Sequence, residues 1–434
     1  MAEIKPFRGV RYNAEKVGGD ISKVLSPPYD IIDGEFQKAL YERSPYNFVR
    51  IDFNTAADRP GEAAKRLNKW LEEGVLVRDE KPLIYVMEER YSPPGGGRML
   101  ARRGIFFALK LSEFGEGVVL PHERTLSAPK EERYNLMKAT KAHLSPPFLL
   151  FDDSSGIARE AMEAVVGTAP LAVANFEGVD IKLWGSEEKQ VVGKLQKALS
   201  GKALYIADGH HRYDTACRFR RENPANFEAI NYGLIYACPF QDPGLVIFPT
   251  HRAVHGISDG MLANFEKVVS QDFEIAEIAS YRGSVGNKVE ELRKALEAAG
   301  ETPAVAMITP EGKAWLLVVK KSALKSSPLL PPEPSLRSLD VAVLHELILA
   351  KGLGIDKEKL ANKTNLDYLK DNIKTVREIE EGDKYQLGFF MRPTKLEQVL
   401  KVSDEGAVMP QKSTYFYPKI PTGLVFNLID EHSI

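Results

Sequence analysis

The sequence predicts an α+β fold. Strand-like and helix-like stretches alternate along it without the strict strand–helix–strand order of a doubly wound sheet. Two apolar runs, LIYVMEERY and MLARRGIFFALK, flank the turn sequence PPGGG and read as a hairpin. A second strand pair, Ala304–Thr309 and Ala314–Lys320, folds about EGK in a region otherwise rich in helical spacing.

Taken in order, Leu25–Asp33 (LSPPYDIID) is a loop, because two prolines exclude helix and favour extended backbone. Glu35–Arg43 has helical spacing, Asn47–Phe53 reads as a strand, and Gly61–Glu73 as an amphipathic helix. After the hairpin, Val118–Asp153 reads as a polar loop, a helix over Lys130–Lys141 and a second SPP turn before an apolar strand. Helices over Gly156–Val166 and Gln190–Leu199 lead to a strand at Ala203–Ala207. His210–Arg221 then reads as helix and Asn231–Ala237 as strand. Beyond PTHRAVHG the pattern changes to helices over Met261–Val269, Asn287–Ala299 and Val341–Leu349 around the second strand pair, and YQLGFFMRP is a late strand. Pro328–Pro334 (PLLPPEP) is the best linker candidate. The expected organisation is a core over 1–255 and a C-terminal α+β region over 256–434 that returns to the cleft through Lys412–Lys419.

At 434 residues, with 44% hydrophobic and 27% charged residues, the chain has material for more than one core. A formal net charge of −2 argues against a general nucleic-acid or membrane-surface binder. Cys217 and Cys238 are too few for a disulfide framework, have no metal spacing, and read as small core hydrophobes. The opening residues lack a hydrophobic signal core and no apolar run is long enough to cross a bilayer, so a cytoplasmic location is expected.

YIADGHHRYDTA, Tyr205–Ala216, crowds an acid and three bases at the end of a strand. Asp208 suits a helix N-cap and Gly209 a tight turn, which puts His210, His211 and Arg212 in the first helical turn. Unpaired N–H groups and the positive end of the helix dipole lie there, so bases at this point work against the dipole unless an anion is present. The motif therefore reads as a phosphate cradle; the alternative is a capped helix with solvated bases. Adjacent helix positions stand about 100° apart, so His210 and His211 do not readily share a metal ion.

Three other clusters carry polar chemistry. LPHERTLSAPKEER offers His122 and Glu123 as general acid or base, Thr125 as a phosphate contact, and Arg124, Lys130 and Arg133; a solvated charged loop is the competing reading. PTHR supplies His251 and Arg252, and QKSTYFYPK supplies Lys412, Ser413, Thr414, Tyr415 and Lys419. No G-x-x-x-x-G-K-S/T and no G-x-G-x-x-G after a strand occurs, which excludes a standard P-loop or Rossmann enzyme. Asp30 sits in the stiff PPYDII loop, either as a positioned carboxylate or as a cap for the helix that starts near Gly34.

PPYDII, LPHERT…PKEER…SPPFLLFDD, YIADGHHRYDTA, PTHR and KSTYFYPK, in this order, resemble the bacterial and archaeal family called domain of unknown function 1015, over nearly the whole chain. More distantly, Asp208-Gly209-His210-His211-Arg212 resembles the phosphate corner of the ParB/sulfiredoxin-like superfamily, which includes partition CTPases, sulfiredoxin and free serine kinases. That resemblance implies a ParB/sulfiredoxin-like mixed-sheet core with insertions over 1–255. It also implies phosphoryl transfer to free L-serine or a similar hydroxylated metabolite, with ATP, ADP or pyrophosphate as donor. The kinases use an early acid to activate the serine hydroxyl; Asp30 holds the comparable place, with Asp where they carry Glu and a longer insertion before the second motif. Sulfiredoxin's catalytic cysteine is missing from the corner, and no helix-turn-helix of a partition protein is evident.

The expected site comprises Asp30, Glu123 and His122 as catalytic groups. Asp208, Gly209, His210, His211, Arg212, Arg252, Lys412, Ser413 and Thr414 are expected on phosphate, with Mg2+ on Asp208 or Glu123. Two other readings stand beside it: a nucleotide or phosphometabolite sensor without turnover, and a ParB-like nucleic-acid-associated protein, which the balanced charge disfavours. The expected partner is a small molecule, with no nucleic acid or membrane, and the sequence leaves the oligomeric state open.

Overall fold

A computed structural model describes the chain except residues 95–96, 124–126 and 363, and except the side chains of 127–129 and 361. The predicted hairpin forms the middle of a mixed sheet: Ile84–Tyr91 and Leu100–Lys110 pair antiparallel from Tyr85↔Phe106 to Tyr91↔Leu100. On one side of it follow Val179–Ser186 and Ala172–Phe176, a second hairpin that the sequence reading missed. On the other side come Tyr232–Pro239, Phe148–Phe151, Leu204–Asp208 and Val119–Leu120. Tyr232–Pro239 runs parallel to Phe148–Phe151, and Leu204–Asp208 parallel to Val119–Leu120; the remaining neighbours are antiparallel. Every residue of Tyr232–Pro239 and of Phe148–Phe151 is buried, as continuous apolar strands must be when both sheet faces are covered. Helices Ile157–Val166, Lys189–Leu199 and His210–Glu222 pack Met162, Leu195 and Ala216 onto Phe107, Leu149 and Ile206.

This sheet belongs to a unit made of Met1–Pro93, Arg98–Val246 and Pro418–Ile434. The C-terminal tail is woven into it: Thr422 bridges Ser26, Phe426 bridges Val10, and Asn427–Leu428 pairs with Ala142–His143. Cross-strand neighbours Glu89 and Arg102, both fully buried, secure the tail's entry. Arg102 Nε and Nη2 donate to Glu89 Oε2 (2.8 and 2.6 Å), and Nη2 also donates to Pro418 O (2.7 Å).

The second unit, Ile247–Tyr417, holds an antiparallel sheet in the order Phe273–Glu277, Ala314–Val319, Ala304–Ile308, Leu387–Phe390, His251–Val254, Leu366–Leu369. Alternation along Ala304–Ile308 builds two cores. Val305 faces Phe265 and Leu347, whereas Ala304, Ala306 and Ile308 face Leu292, Leu296 and Ile379. The helical stretch after Asp340 passes through a π segment, Leu344–Ala350.

The α+β expectation therefore holds at the level of a large mixed sheet with further sheets and helices. Three details differ. The boundary after the first unit's long segment falls at Val246 where 255 was expected, because PTHR opens directly into the strand His251–Val254 of the second sheet, and Pro418–Ile434 joins the first unit. PLLPPEP is no linker, since Leu330 lies in the second unit's core. Asn47–Phe53 is not a strand: Val49–Asp52 is a helical turn. Asn47 Oδ1 accepts from Val49 N–H (3.0 Å), while its Nδ2 donates to Lys23 O (2.9 Å) and Leu25 O (2.8 Å), so a local side-chain bond displaces the ladder. No helix among the described residues is long and apolar enough to cross a membrane.

Glu89→Ala leaves a buried guanidinium without its counter-charge and is expected to lower unfolding free energy by about 3–5 kcal/mol, measured by urea denaturation.

Candidate functional site

The corner forms where the strand Leu204–Asp208 hands over to the helix His210–Glu222. The strand's register with Phe148–Phe151 shifts between Ile206 and Asp208, an irregularity that re-aims Asp208 at the strand's end. Gly209 follows at φ +88°, a left-handed conformation, and occupies the cap position with no side-chain cap bond. Asp208 is therefore not the N-cap expected from sequence. Its carboxylate lies between two cations, Arg212 and Lys419.

Arg212 folds back over the turn. Its Nη2 pairs with Asp208, and its Nη1 donates to Ser145 Oγ (3.0 Å) and to Pro146 O in the second SPP turn. A β-carbon on Gly209 would stand 2.7–2.9 Å from that guanidinium, so glycine is required here both by its φ and by the arginine above it.

His210 is buried, and its Nε2 accepts from His122 N–H (3.2 Å), with the two rings edge-on at 4.7 Å. Burial pushes His122 down to about 4, and burial with His122 beside it pushes His210 well below the imidazole range. Both are neutral at pH 7, so the crowd of bases is smaller than the sequence suggests. His210 brings no charge, and that of Arg212 is met by Asp208. The His122 side chain is fully buried, and it is the backbone N–H of this residue that bonds His210. His211 and Glu123 are half-buried; Arg124 and Thr125 lie outside the described residues.

Asp30 lies in a short 3-10 turn, Tyr29–Ile31, and is exposed. Asp33, not Asp30, caps the helix Gly34–Arg43, accepting from Phe36 N–H at 2.8 Å. Of the two sequence readings of Asp30, capping is thus removed. Next to it, Arg133 lies over the Tyr29 ring (4.1 Å) and donates through Nη1 to Asp52 Oδ1 (3.0 Å) and Asp52 O (2.9 Å). Burial raises the Tyr29 phenol to about 12, with Arg133 and Arg212 acting against it and Asp30 and Asp52 with it. Burial also raises Asp52, against the pull of Arg133 and Arg212. Tyr29, Asp52, Arg133 and Arg212 line one cavity, and Asp30 is the chain neighbour of Tyr29. This mainly apolar cavity of about 40 Å³, walled by residues such as Leu136, Met137 and Ile235, also has Ser145 among its lining, with space for a few waters.

Tyr29, Asp52 and Ser145 stand at this corner and its cavity although the sequence reading did not assign them, whereas Lys419 comes from the segment that the sequence reading expected to return to the cleft. The repeated SPP was a signal for Ser145, and the polar tail of QKSTYFYPK for Lys419. Asp52 was hidden by the mistaken strand.

Arg252, Lys412, Ser413 and Thr414 gather in the second unit. Arg252 is buried and donates from Nη2 to Lys412 O (3.1 Å), Ser413 Oγ donates to Pro410 O (2.5 Å), and Lys412 is exposed. Mg2+ does not fit Asp208, because each carboxylate oxygen already faces a cation. Among the described residues, no group of three or more His, Cys, Asp or Glu is arranged to hold a metal ion.

His122, His143 and His251 each have a folded-state value of about 4 against 6.5 unfolded. Between these values the unfolded chain binds more protons, so stability rises with pH and is lost as pH falls from about 6.5 toward about 4. Urea midpoints across that window should fall with acidification, and His122→Gln should make the slope shallower.

No curated protein matches the chain. Solved structures similar to it include a mutant free serine kinase in complex with ADP (11% identity, 74% of this chain and 92% of that chain, TM-score 0.37). Free serine kinase in complex with AMP matches at 14% identity, over 74% and 92%, with TM-score 0.36. A conserved hypothetical protein from Pyrococcus furiosus matches at 16% identity, over 74% and 93%, with TM-score 0.36. Likenesses at these scores carry no argument about chemistry. The ordered motifs have a firmer counterpart: with residues 4–342 matching its pattern, the chain belongs to the family described as Protein of unknown function (DUF1015).

Proposed function

We propose that the protein transfers a phosphoryl group to the hydroxyl of a small metabolite, free L-serine or a similar compound, from ATP, ADP or pyrophosphate. The observation that carries this reading is Asp30: an exposed carboxylate released from capping by Asp33 and adjacent in the chain to Tyr29, which lines the same cavity as Arg212. Phosphoryl transfer asks the protein for positioning and charge neutralisation more than for covalent chemistry. The helix start at Gly209, flanked by Arg212 and Lys419, supplies dipole and cations for donor phosphates. Asp30 accepts the hydroxyl proton as the new O–P bond forms and the donor's P–O bond breaks, releasing ADP, AMP or phosphate according to the donor. A ParB/sulfiredoxin-like arrangement of the first unit is the finer fold this reading entails. The ADP- and AMP-bound neighbours bear the name free serine kinase, but the reading rests on Asp30 and not on that likeness.

One observation favours a second reading, a phosphometabolite sensor without turnover: Arg212 is already committed to Asp208, Ser145 and Pro146, as a fixed structural latch would be. Product formation separates the two.

Incubation with ATP, ADP or pyrophosphate and a panel of hydroxylated amino acids, followed by phosphorus NMR, is expected to show a phosphomonoester. Asp30→Asn should slow its formation by about a hundredfold or more while leaving donor binding intact. Full activity in Asp30→Asn removes Asp30 from the reaction, and donor binding without product in the native protein selects the sensor.

A further inference from the structure

PTHR and QKST, which the proposed reaction does not use, meet inside the second unit around Arg252. This arginine is 1% exposed. Its Nη1 donates to Thr250 O, and its Nη2 reaches Lys412 O (3.1 Å), Gln411 O (3.4 Å) and His345 Nε2 (3.1 Å). Every one of these partners is neutral. Burial, and next the Arg252 charge, hold His345 well below its usual range, so its Nε2 accepts from the guanidinium. The Arg252 Nε, also buried, has no hydrogen-bond partner. Asp340, the acid lining the same cavity, is taken by Arg392, which donates to it from Nε (2.8 Å) and Nη2 (2.7 Å).

A guanidinium that is buried and charged is a costly arrangement without a counter-ion, and among the described residues this one meets only neutral acceptors and the face of the Tyr368 ring (5.3 Å). The cavity beside it, about 20 Å³, is lined by Thr250, Arg252, Arg392, Thr394, Gln398 and Ser413. It has room for one or two oxygen-sized atoms. Its wall is rich in hydroxyl and amide groups, and Thr394 Oγ1 bonds Ser413 O (2.7 Å), so the two sides of the cavity are joined. The loop is held in an uncommon conformation by Lys412, a non-glycine residue at φ +58°.

We infer that this cavity binds one small oxyanion, a phosphate or carboxylate group, for which Arg252 is the buried counter-charge. The Nε–H, which no acceptor among the described residues meets, is the donor left for an oxygen of such a group, and the guanidinium supplies the charge. The site lies wholly in the second unit, and its existence does not depend on the reaction proposed for the first.

The test is hydrogen–deuterium exchange of the full-length protein with inorganic phosphate, with acetate, and with chloride at matched ionic strength. The expected result is saturable protection of peptides covering 391–394 and 411–414 by phosphate, by acetate or by both, and not by chloride. Protection by phosphate alone assigns a phosphate group; protection by acetate as well assigns the wider oxyanion class. Arg252→Met, where it folds, should lose this protection. The inference is overturned if neither anion protects these peptides saturably, if chloride protects them equally, or if folded Arg252→Met keeps the wild-type response. The readout is local, so a response or silence at 205–215 bears only on the Gly209 turn.

Discussion

Asp208, Gly209 and Arg212 are mutually constrained. The left-handed φ of Gly209 turns the chain from strand to helix within one residue, which returns Arg212, four residues after Asp208, to the strand end the chain has just left. The guanidinium of Arg212, the third residue after Gly209, then occupies the side of Gly209 where a β-carbon would stand and grips both Asp208 and the Ser145–Pro146 turn. Strand, helix and proline turn are fixed together by one side chain. Lys419, from the C-terminal tail, meets the same carboxylate, so that tail must be in place before the corner is electrostatically complete. The woven tail is thus part of the site's construction as well as of the fold.

Four arginines show how this chain handles buried positive charge. Arg102 is matched by Glu89 in the sheet, Arg133 by Asp52, and Arg212 by Asp208. Each of these pairs joins segments far apart in sequence or spans a turn, which suits a role in specifying geometry more than in adding stability, since desolvation offsets most of the attraction. Arg252 breaks the pattern: it is as buried as Arg102 and has only neutral partners. The contrast within one molecule, more than any single distance, marks the second-unit cavity as a place for an incoming anion.

Much of the fold was legible because it rests on local periodicity. The hairpin at LIYVMEERY/MLARRGIFFALK, the helix after Gly209 and the strand pair about EGK all follow from spacing and turn residues. The failures have specific causes. At Asn47 a side chain bonded to the backbone and converted an apolar run into a helical turn. At PLLPPEP, prolines that read as a linker carry Leu330 into a core. A return through Lys412–Lys419 was expected from the polar residues of that segment, but the pairings that weave the tail into the first unit span hundreds of residues, such as Ser26 with Thr422, and no local pattern encodes them.

The site was legible in residue type but not in ionisation or in partnership. YIADGHHRYDTA announces bases at a helix start, and only burial shows that His210 is neutral and a hydrogen-bond acceptor. PTHR announces a histidine and an arginine side by side, yet strand alternation sends them to opposite faces. His251 stacks on Phe390 (4.0 Å) and accepts from Met391 N–H (3.0 Å), as a structural pin. Arg252, one residue on, faces His345 and the QKST loop. A motif of adjacent polar residues on a strand therefore divides its labour by parity, and the chemistry of the pair falls to the member whose charge the protein leaves unmatched.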